Sequence, residues 1–390
     1  MEERQQRVNA ITSFLQGTAI STICRTLGRS RRWFYKWLKR YDPADPQWAS
    51  ARSRAPKQIS HKTPPSVIRM VCEIRNQLLK TKYAQKGALA IQWQLRQLGV
   101  KPLPAIWTIN RILKSQGLVD KPTSNPRGTP YPALELTQPN DIHQFDLVGR
   151  RYLKSKERFY GAHLIDAFSN AVALKALSSK RDIEIVDALV EAWQRLGISR
   201  YLQLDNELSF RGSNLYPRSF GLLIHLCLYL GVEVVFIPQG EPWRNGIIEK
   251  FNDVYDKLFL RPQQFTTLLH LQRELPQFES FHNRQHRYAK LGQRTPLAVH
   301  TYHARRRLPK SFALHRRSIP WRDGRLSFIR LTDRHGAVQF FTERFKVAPG
   351  LVHEYVRGTI FTKLGLLKFY HQGRVIKVYR YTVNKNPTRV

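Results

Sequence analysis

The sequence predicts a multidomain α+β protein, with helical modules at the N-terminus, an α/β core in the middle and a small β-barrel at the end. Three observations predict it. Apolar residues recur at helical spacing over the first 119 residues. Strand and helix patterns alternate over residues 139–300, and short alternating runs broken by turn signals fill 325–385. The length, 390 residues, suits two or three domains rather than one core.

The first module spans about 1–45. Val8, Ile11, Phe14 and Leu15 mark a helix that Gly17 breaks. Ser21 and Thr22 are placed to cap a second, short helix carrying Ile23 and Leu27, and Gly28 ends it. Ser30 is placed to cap a third, RRWFYKWLKRY. Helix, short helix, turn and basic helix is the helix-turn-helix order. Arg29, Arg31, Arg32 and Lys36 are its candidate DNA contacts. Residues 42–62, with scattered Pro, Ser and Arg, are expected to be a linker.

A second helix-turn-helix-like module is expected at 64–119. Val67, Val71 and Ile74 mark one helix, Leu89, Trp93 and Leu95 a second, and Ile106, Ile109, Ile112 and Leu113 a third. Thr108, Asn110, Arg111 and Lys114 are assigned to its outward face, and Arg111 and Lys114 are the DNA contacts proposed there. A proline-bearing linker, 121–136, follows.

Strands are expected at 141–148, 159–165, 171–177, 200–204 and 232–237, and helices at 182–196, 220–230 and 247–260. Three strands, then helix, strand, helix, strand and helix, is the order of a ribonuclease-H-like core. The last region, 325–385, holds five short strand candidates and is expected to close as a basic, SH3-like barrel.

Charge narrows the partners. Lys and Arg number 65 against 28 Asp and Glu, a net +37 spread along the whole chain. Such a chain repels itself unless a polyanion is near, and nucleic acid fits. The three cysteines, Cys24, Cys72 and Cys227, are far apart and form no C-x-x-C pair, so they support neither a disulfide framework nor a cysteine zinc finger. No signal peptide or membrane-length apolar run is seen. The expected location is the bacterial cytoplasm, at the nucleoid.

Three acids sit where the expected core can gather them: Asp146 in the first strand, Asp205 just past the fourth, and Glu249 in the helix after the fifth. An acid within an apolar strand is costly unless paired or metal-bound. Carboxylate oxygens suit hard cations, and two such cations suit phosphoryl transfer. Arg244, Asn245 and Lys250 flank Glu249 as further DNA-contact candidates. Asn206 either orients Asp205 or touches DNA, Glu207 is set aside, and Asp166, His143, His163 and His286 are more simply structural.

These residues resemble the DDE transposases and retroviral integrases. The matching pieces are QFDLVG, LIDAFSN, LQLDNE, PWRNGIIEKFN and FHNRQHRYAKLGQRTP. The resemblance covers 139–300 and extends to the N-terminal modules found in bacterial insertion-sequence transposases. It implies an integrase catalytic core in which Asp146, Asp205 and Glu249 bind two Mg²⁺ ions, with Mn²⁺ as a substitute. It also implies cleavage at transposon ends and joining of the 3′ ends to target DNA. The implied partners are double-stranded DNA, as element ends and target, and other copies of the chain. An ATPase helper stays open. The Asp205–Glu249 spacing exceeds the family's usual one, and the polar RGSNLYPRS stretch accounts for the excess. No His-His-Cys-Cys zinc pattern is present, so retroviral integrase itself is a poor match. A tandem helix-turn-helix regulator without chemistry and a purely hydrolytic nuclease are the competing readings.

Overall fold

The computed structural model describes residues 3–51, 63–119, 131–301, 306–312 and 319–386. It divides into two compact units, 1–64 and 65–390.

The first unit is three helices, α1 (Glu3–Leu15), α2 (Ile20–Thr26) and α3 (Arg31–Leu38). Their apolar faces meet in one cluster of Ala10, Ile11, Ile23, Cys24, Phe34 and Trp37. The Ser30 side chain accepts from Trp33 N–H and starts α3 as expected. The second helix instead begins after Ala19 with no side-chain cap, so Ser21 and Thr22 fall inside it. The expected linker also starts late. Arg7 donates to the Ala49 carbonyl at 3.0 Å, and Trp48 packs edge-on against Tyr41. Residues 42–51 therefore belong to this fold, and the rest of the expected linker, 52–62, lies outside the described residues.

The second unit opens with α4 (Pro65–Lys80), α5 (Ala88–Gln97) and α6 (Ile106–Ser115), built on Val71, Ile74, Ile91, Leu95, Ile109 and Ile112. Of the linker expected next, 121–130 lies outside the described residues. Then come β1 (Ile142–Tyr152), β2 (Arg158–Asp166), β3 (Val172–Leu177), α7 (Asp182–Leu196), β4 (Tyr201–Leu204), α8 (Leu208–Arg211), α9 (Leu222–Tyr229) and β5 (Glu233–Phe236). After these are α10 (Gly246–Tyr255), α11 (Leu268–Gln285) and α12 (Pro296–Thr301), and then the strands β6 (Arg325–Leu331), β7 (Ala337–Phe340), β8 (Glu343–Lys346), β9 (Tyr355–Phe361), β10 (Leu366–His371) and β11 (Arg374–Arg380).

Among the described residues, nine strands form one mixed sheet in the order β11-β10-β9-β6-β5-β4-β1-β2-β3. Alternation along each strand sends neighbours to opposite faces. Leu164 of β2 joins the cluster under α7 and α9, with Leu189, Trp193, Leu223 and Leu226. Ile165, the next residue, joins the cluster under α10 and α11, with Phe251, Tyr255 and Phe278. The strands are apolar on both sides because helices cover both faces. The helices α4–α6 are tied to this body: His286 Nε2 meets the Tyr83 carbonyl at 2.7 Å, and Tyr83 stacks edge-on with Phe278.

The expected C-terminal barrel is not what these strands build. β6 pairs in parallel with β5, setting Val234 beside Leu326 and Phe236 beside Phe328. β9, β10 and β11 then continue the same sheet as an antiparallel meander. Only β7 and β8 pair separately, as a hairpin whose Val338, Phe340 and Phe345 join the core cluster. Phe328 lies flat on Phe340, at 3.8 Å between ring centroids, and also fills the space over Gly358, where a Cβ would meet its ring at 2.2 Å. Short alternating runs look alike in a barrel and in a sheet extension. What separates the two is the distant β5–β6 pairing, which no local pattern records.

Because β6 covers the edge of β5, deleting residues 325–390 is expected to abolish cooperative unfolding and soluble expression of the core. A soluble 65–324 fragment with a sharp thermal transition would show that the strands are dispensable.

Candidate active site

Asp146 lies midway along β1, opposite His163 of β2. Asp205 is the residue after β4, the parallel neighbour of β1. Glu249 sits in the first turn of α10. That helix is pinned to the sheet by Ile248 N–H, which donates to Gln144 Oε1 at 2.9 Å, and by the buried Ile248 side chain. Three separate elements thus carry the three carboxylates.

Their electrostatics record the closeness. Partial burial, and then the charge of Glu249, raise the Asp146 carboxyl to about 6. Burial raises Asp205 to about 6, and the charges of Asp146 and Glu207 add to it, against a backbone hydrogen bond from Glu207. Glu249 is also raised, by desolvation and by Asp205, although it is the most exposed of the three. Each acid works against the others' ionisation. Glu207 is near enough to add to this field, and Lys180 holds its carboxylate.

One residue of the site was missed by the sequence reading. Asn252 donates to Asp146 Oδ2 at 2.7 Å, and its Oδ1 faces His163 Nδ1 at 2.8 Å. Since Oδ1 only accepts, His163 carries its proton on Nδ1. Burial holds that imidazole neutral, lowering its pKa to about 4, with Nε2 unpartnered. The signal available was spacing, because Asn252 is three residues past Glu249 and shares its helix face.

The residues assigned to structure, Asp166, His143, His163 and His286, are buried. Asp166 is buried, accepts from Ser169 and from Asn140 N–H, and lies beside His143 and His300, which hold it ionised. Trp193 donates to His143 Nδ1, and Asn140 Oδ1 meets its Nε2. Asn206 bonds Ile237 and Arg330 rather than facing outward.

The DNA-contact candidates divide. Arg31, Arg32 and Lys36 are exposed on α3, and Arg29 is half-buried against Gln6. Arg111 and Lys114 are exposed on α6, where Arg111 lies over Trp107, an exposed ring the sequence reading passed over. Thr108 is buried and Asn110 exposed. Lys250 is exposed beside Glu249. Arg244 and Asn245 are corrections. Asn245 is buried and accepts from Gln203, and Arg244 is bound to Glu241 and Tyr355, because the turn before α10 must be fixed from inside.

The donor set fits hard divalent cations in chemistry, since it is all carboxylate oxygen and electrostatically short of positive charge. The three side chains are neighbours rather than a closed cage: among the described residues, no three His, Cys, Asp or Glu are grouped tightly enough to hold a metal. Among the described residues no helix is long and apolar enough to cross a membrane.

Residues 230–296 match the integrase core domain family, and residues 1–45 match the homeodomain-like domain family. The first match contains Glu249, while Asp146 and Asp205 lie upstream of it. No curated protein matches the chain. Similar solved structures include the HTLV-2 integrase catalytic core domain in complex with magnesium, at 19% identity over 42% of this chain and 97% of that one, TM-score 0.32. A simian T-cell lymphotropic virus intasome with the PP2A regulatory subunit B56 gamma matches at 19% identity over 57% and 74%, TM-score 0.36. The BIV integrase catalytic core matches at 17% identity over 42% and 95%, TM-score 0.32. Likenesses this weak carry no chemistry. The two domain matches point to a DNA-binding protein of transposase or integrase type.

A pH test follows from the raised carboxyls. The folded chain keeps protons on Asp146 and Asp205 up to about pH 6, where the unfolded chain has lost them. Their contribution to stability therefore falls as pH rises from the ordinary carboxylate range through 6. Without divalent cations, Asp146→Asn is expected to be more stable than wild type above pH 6, by roughly 1–3 kcal/mol, with the gap closing near pH 4. Denaturant unfolding of both proteins across that range measures it; equal stability at pH 8 would mean that the carboxylates do not burden one another.

Proposed function

We propose that the chain is a DNA transposase that cleaves element ends and joins their 3′ ends to target DNA. The observation that carries this is the meeting of Asp146, Asp205 and Glu249, from three elements, close enough to raise one another's pKa. The domain matches support the DNA-acting class.

In the first displacement a water oxygen attacks the phosphorus at the element end, and the 3′ oxygen departs with a proton. In the second, that 3′-hydroxyl attacks a target phosphorus, and the target strand breaks. Each step exchanges one phosphoester bond, so no covalent enzyme intermediate is needed. Asp146, Asp205 and Glu249 are the residues that would hold Mg²⁺, or Mn²⁺ in its place, two ions to a site. When bound, such ions supply an activated attacking oxygen and neutralise charge on the departing one. Asn252 fixes the carboxylate of Asp146, and α10 presents Glu249 and Lys250 on one exposed turn. Positioning and charge neutralisation then lower the barrier.

The first unit and the α4–α6 helices serve as two DNA-binding modules, one from α3 and one from α6. Two ends must be joined together and each site acts on one phosphate at a time, so the working species is an oligomer of this chain on DNA. An ATPase helper has no support from either domain match.

Asp205→Asn keeps side-chain shape and removes a negative oxygen. It is expected to fold and bind DNA while losing joining of pre-cleaved ends by at least ~100-fold. Near-native joining by Asp205→Asn in Mg²⁺ would defeat the reading. Replacing Arg31, Arg32 and Lys36 together by Ala is expected to weaken binding to end DNA and to make its salt dependence shallower by up to about three ions. An unchanged salt slope in a filter-binding or anisotropy titration would take α3 out of the interface.

A further inference from the structure

The strands that extend the sheet reach back to two of the three carboxylates. After β4, Asn206 follows Asp205 directly. Its Nδ2 donates to the Ile237 carbonyl at 2.7 Å, and its Oδ1 accepts from Arg330 Nη2 at 2.6 Å. Arg330 belongs to β6 and is buried. Its Nη1 donates to the carbonyls of Ile237 and Ile329, both at 2.8 Å, and its Nε to that of Gln339 at 3.0 Å. These acceptors are all neutral. Losing any one strands part of a buried charge, so the guanidinium holds each in place.

A second tie reaches the turn before α10. Tyr355 of β9 donates to the Glu241 carboxylate, with both oxygens at 2.8 Å. Arg244 donates from Nε to Glu241 at 2.9 Å and from Nη2 to Tyr355 Oη at 2.9 Å. Its guanidinium is flanked by the rings of Tyr131, at 4.1 Å, and Tyr355, at 4.9 Å. The Arg244 carbonyl accepts from Gln203 of β4 at 2.9 Å. The lead-in to Glu249 is thus fixed to the extension on one side and to the Asp205 strand on the other.

We infer that Arg330 and Tyr355 are positioning residues for the catalytic carboxylates, Arg330 acting on Asp205 through Asn206 and Tyr355 on Glu249 through Glu241 and Arg244. The inference rests on the reading under Proposed function. It gives the C-terminal strands a part in chemistry without any contact to DNA.

The test uses the full chain with Tyr355→Phe, Asn206→Ala, Arg330→Gln and the double variant Asn206→Ala with Arg330→Gln. Tyr355→Phe keeps the ring and removes only the hydroxyl. Joining of pre-cleaved ends is read as kcat and KM, Mn²⁺ affinity is measured on the protein without DNA, and melting temperature is taken alongside. Each single variant is expected to lower kcat by ~10–100-fold with KM for the end little changed. Mn²⁺ affinity is expected to weaken by about 10-fold or more. The double variant should be no worse than its worse single, because both break the same Asn206–Arg330 contact. Wild-type kcat and Mn²⁺ affinity in both Tyr355→Phe and Asn206→Ala would overturn the inference, as would activity lost only in proportion to unfolded protein with Mn²⁺ affinity unchanged. Should Arg330→Gln fail to fold, those two variants decide. Failure of the parent reading looks different: the wild-type chain would not join DNA, or Asp205→Asn would.

Discussion

Three like charges held near one another in a partly desolvated place repel, and the surrounding structure is arranged around that repulsion. Desolvation raises each carboxyl most, and the charges of its neighbours add to that rise. Free side chains would swing apart. Here each is anchored by something rigid: Asp146 by the middle of a central strand and by Asn252, Asp205 by a strand end and the Glu207 backbone N–H, and Glu249 by a helix pinned to Gln144. Lys180 offsets only a small part of the Asp205 rise and is paired with Glu207. The site is left poised for positive charge from outside the chain.

Strongly basic chains can be expected to cover their acids. This one does so at Arg195–Glu279 and Arg218–Glu343, and spends other arginines in two ways. Arg31 and Arg32 project from α3, whereas Arg244 and Arg330 are drawn inside and bonded to tyrosine, glutamate and backbone carbonyls. Arginine suits the interior role because its planar fork makes several directed bonds at once, which a lysine ammonium would not reproduce. Counting basic residues therefore overstates the surface available to DNA. Where each arginine ends up depends on the neighbours that folding supplies.

The division between what the residues announced and what they withheld follows the range of the interactions. Helices and strands of the core were legible because two-sided burial leaves runs such as Leu222–Leu228 almost wholly apolar. Among the candidate acids, Asp146 stood out because it interrupts such a run. Asn252 was partly legible, as a neighbour of Glu249 by helical spacing. Arg244 and Asn245 were misjudged, since a polar residue near Glu249 looks the same whether it faces DNA or the Gln203 side chain. The strands β7 to β11 were each marked by local alternation, but β6 was not among the five candidates, and its joining to β5 is a pairing between segments about ninety residues apart, of which local alternation carries no trace.

The place of β6 in the sheet has a consequence for the order of events on the ribosome. The three helices of the first unit complete their own core from residues 3–51 and need nothing further downstream. All three acids are also made well before residue 325, yet β5 has a bare edge, and Asn206 and Glu241 lack their arginine and tyrosine partners, until β6 and β9 emerge. A nascent chain thus acquires its first DNA-binding unit early and its fixed carboxylates last. Synthesis itself imposes a delay between folding of the first unit and fixing of the three acids.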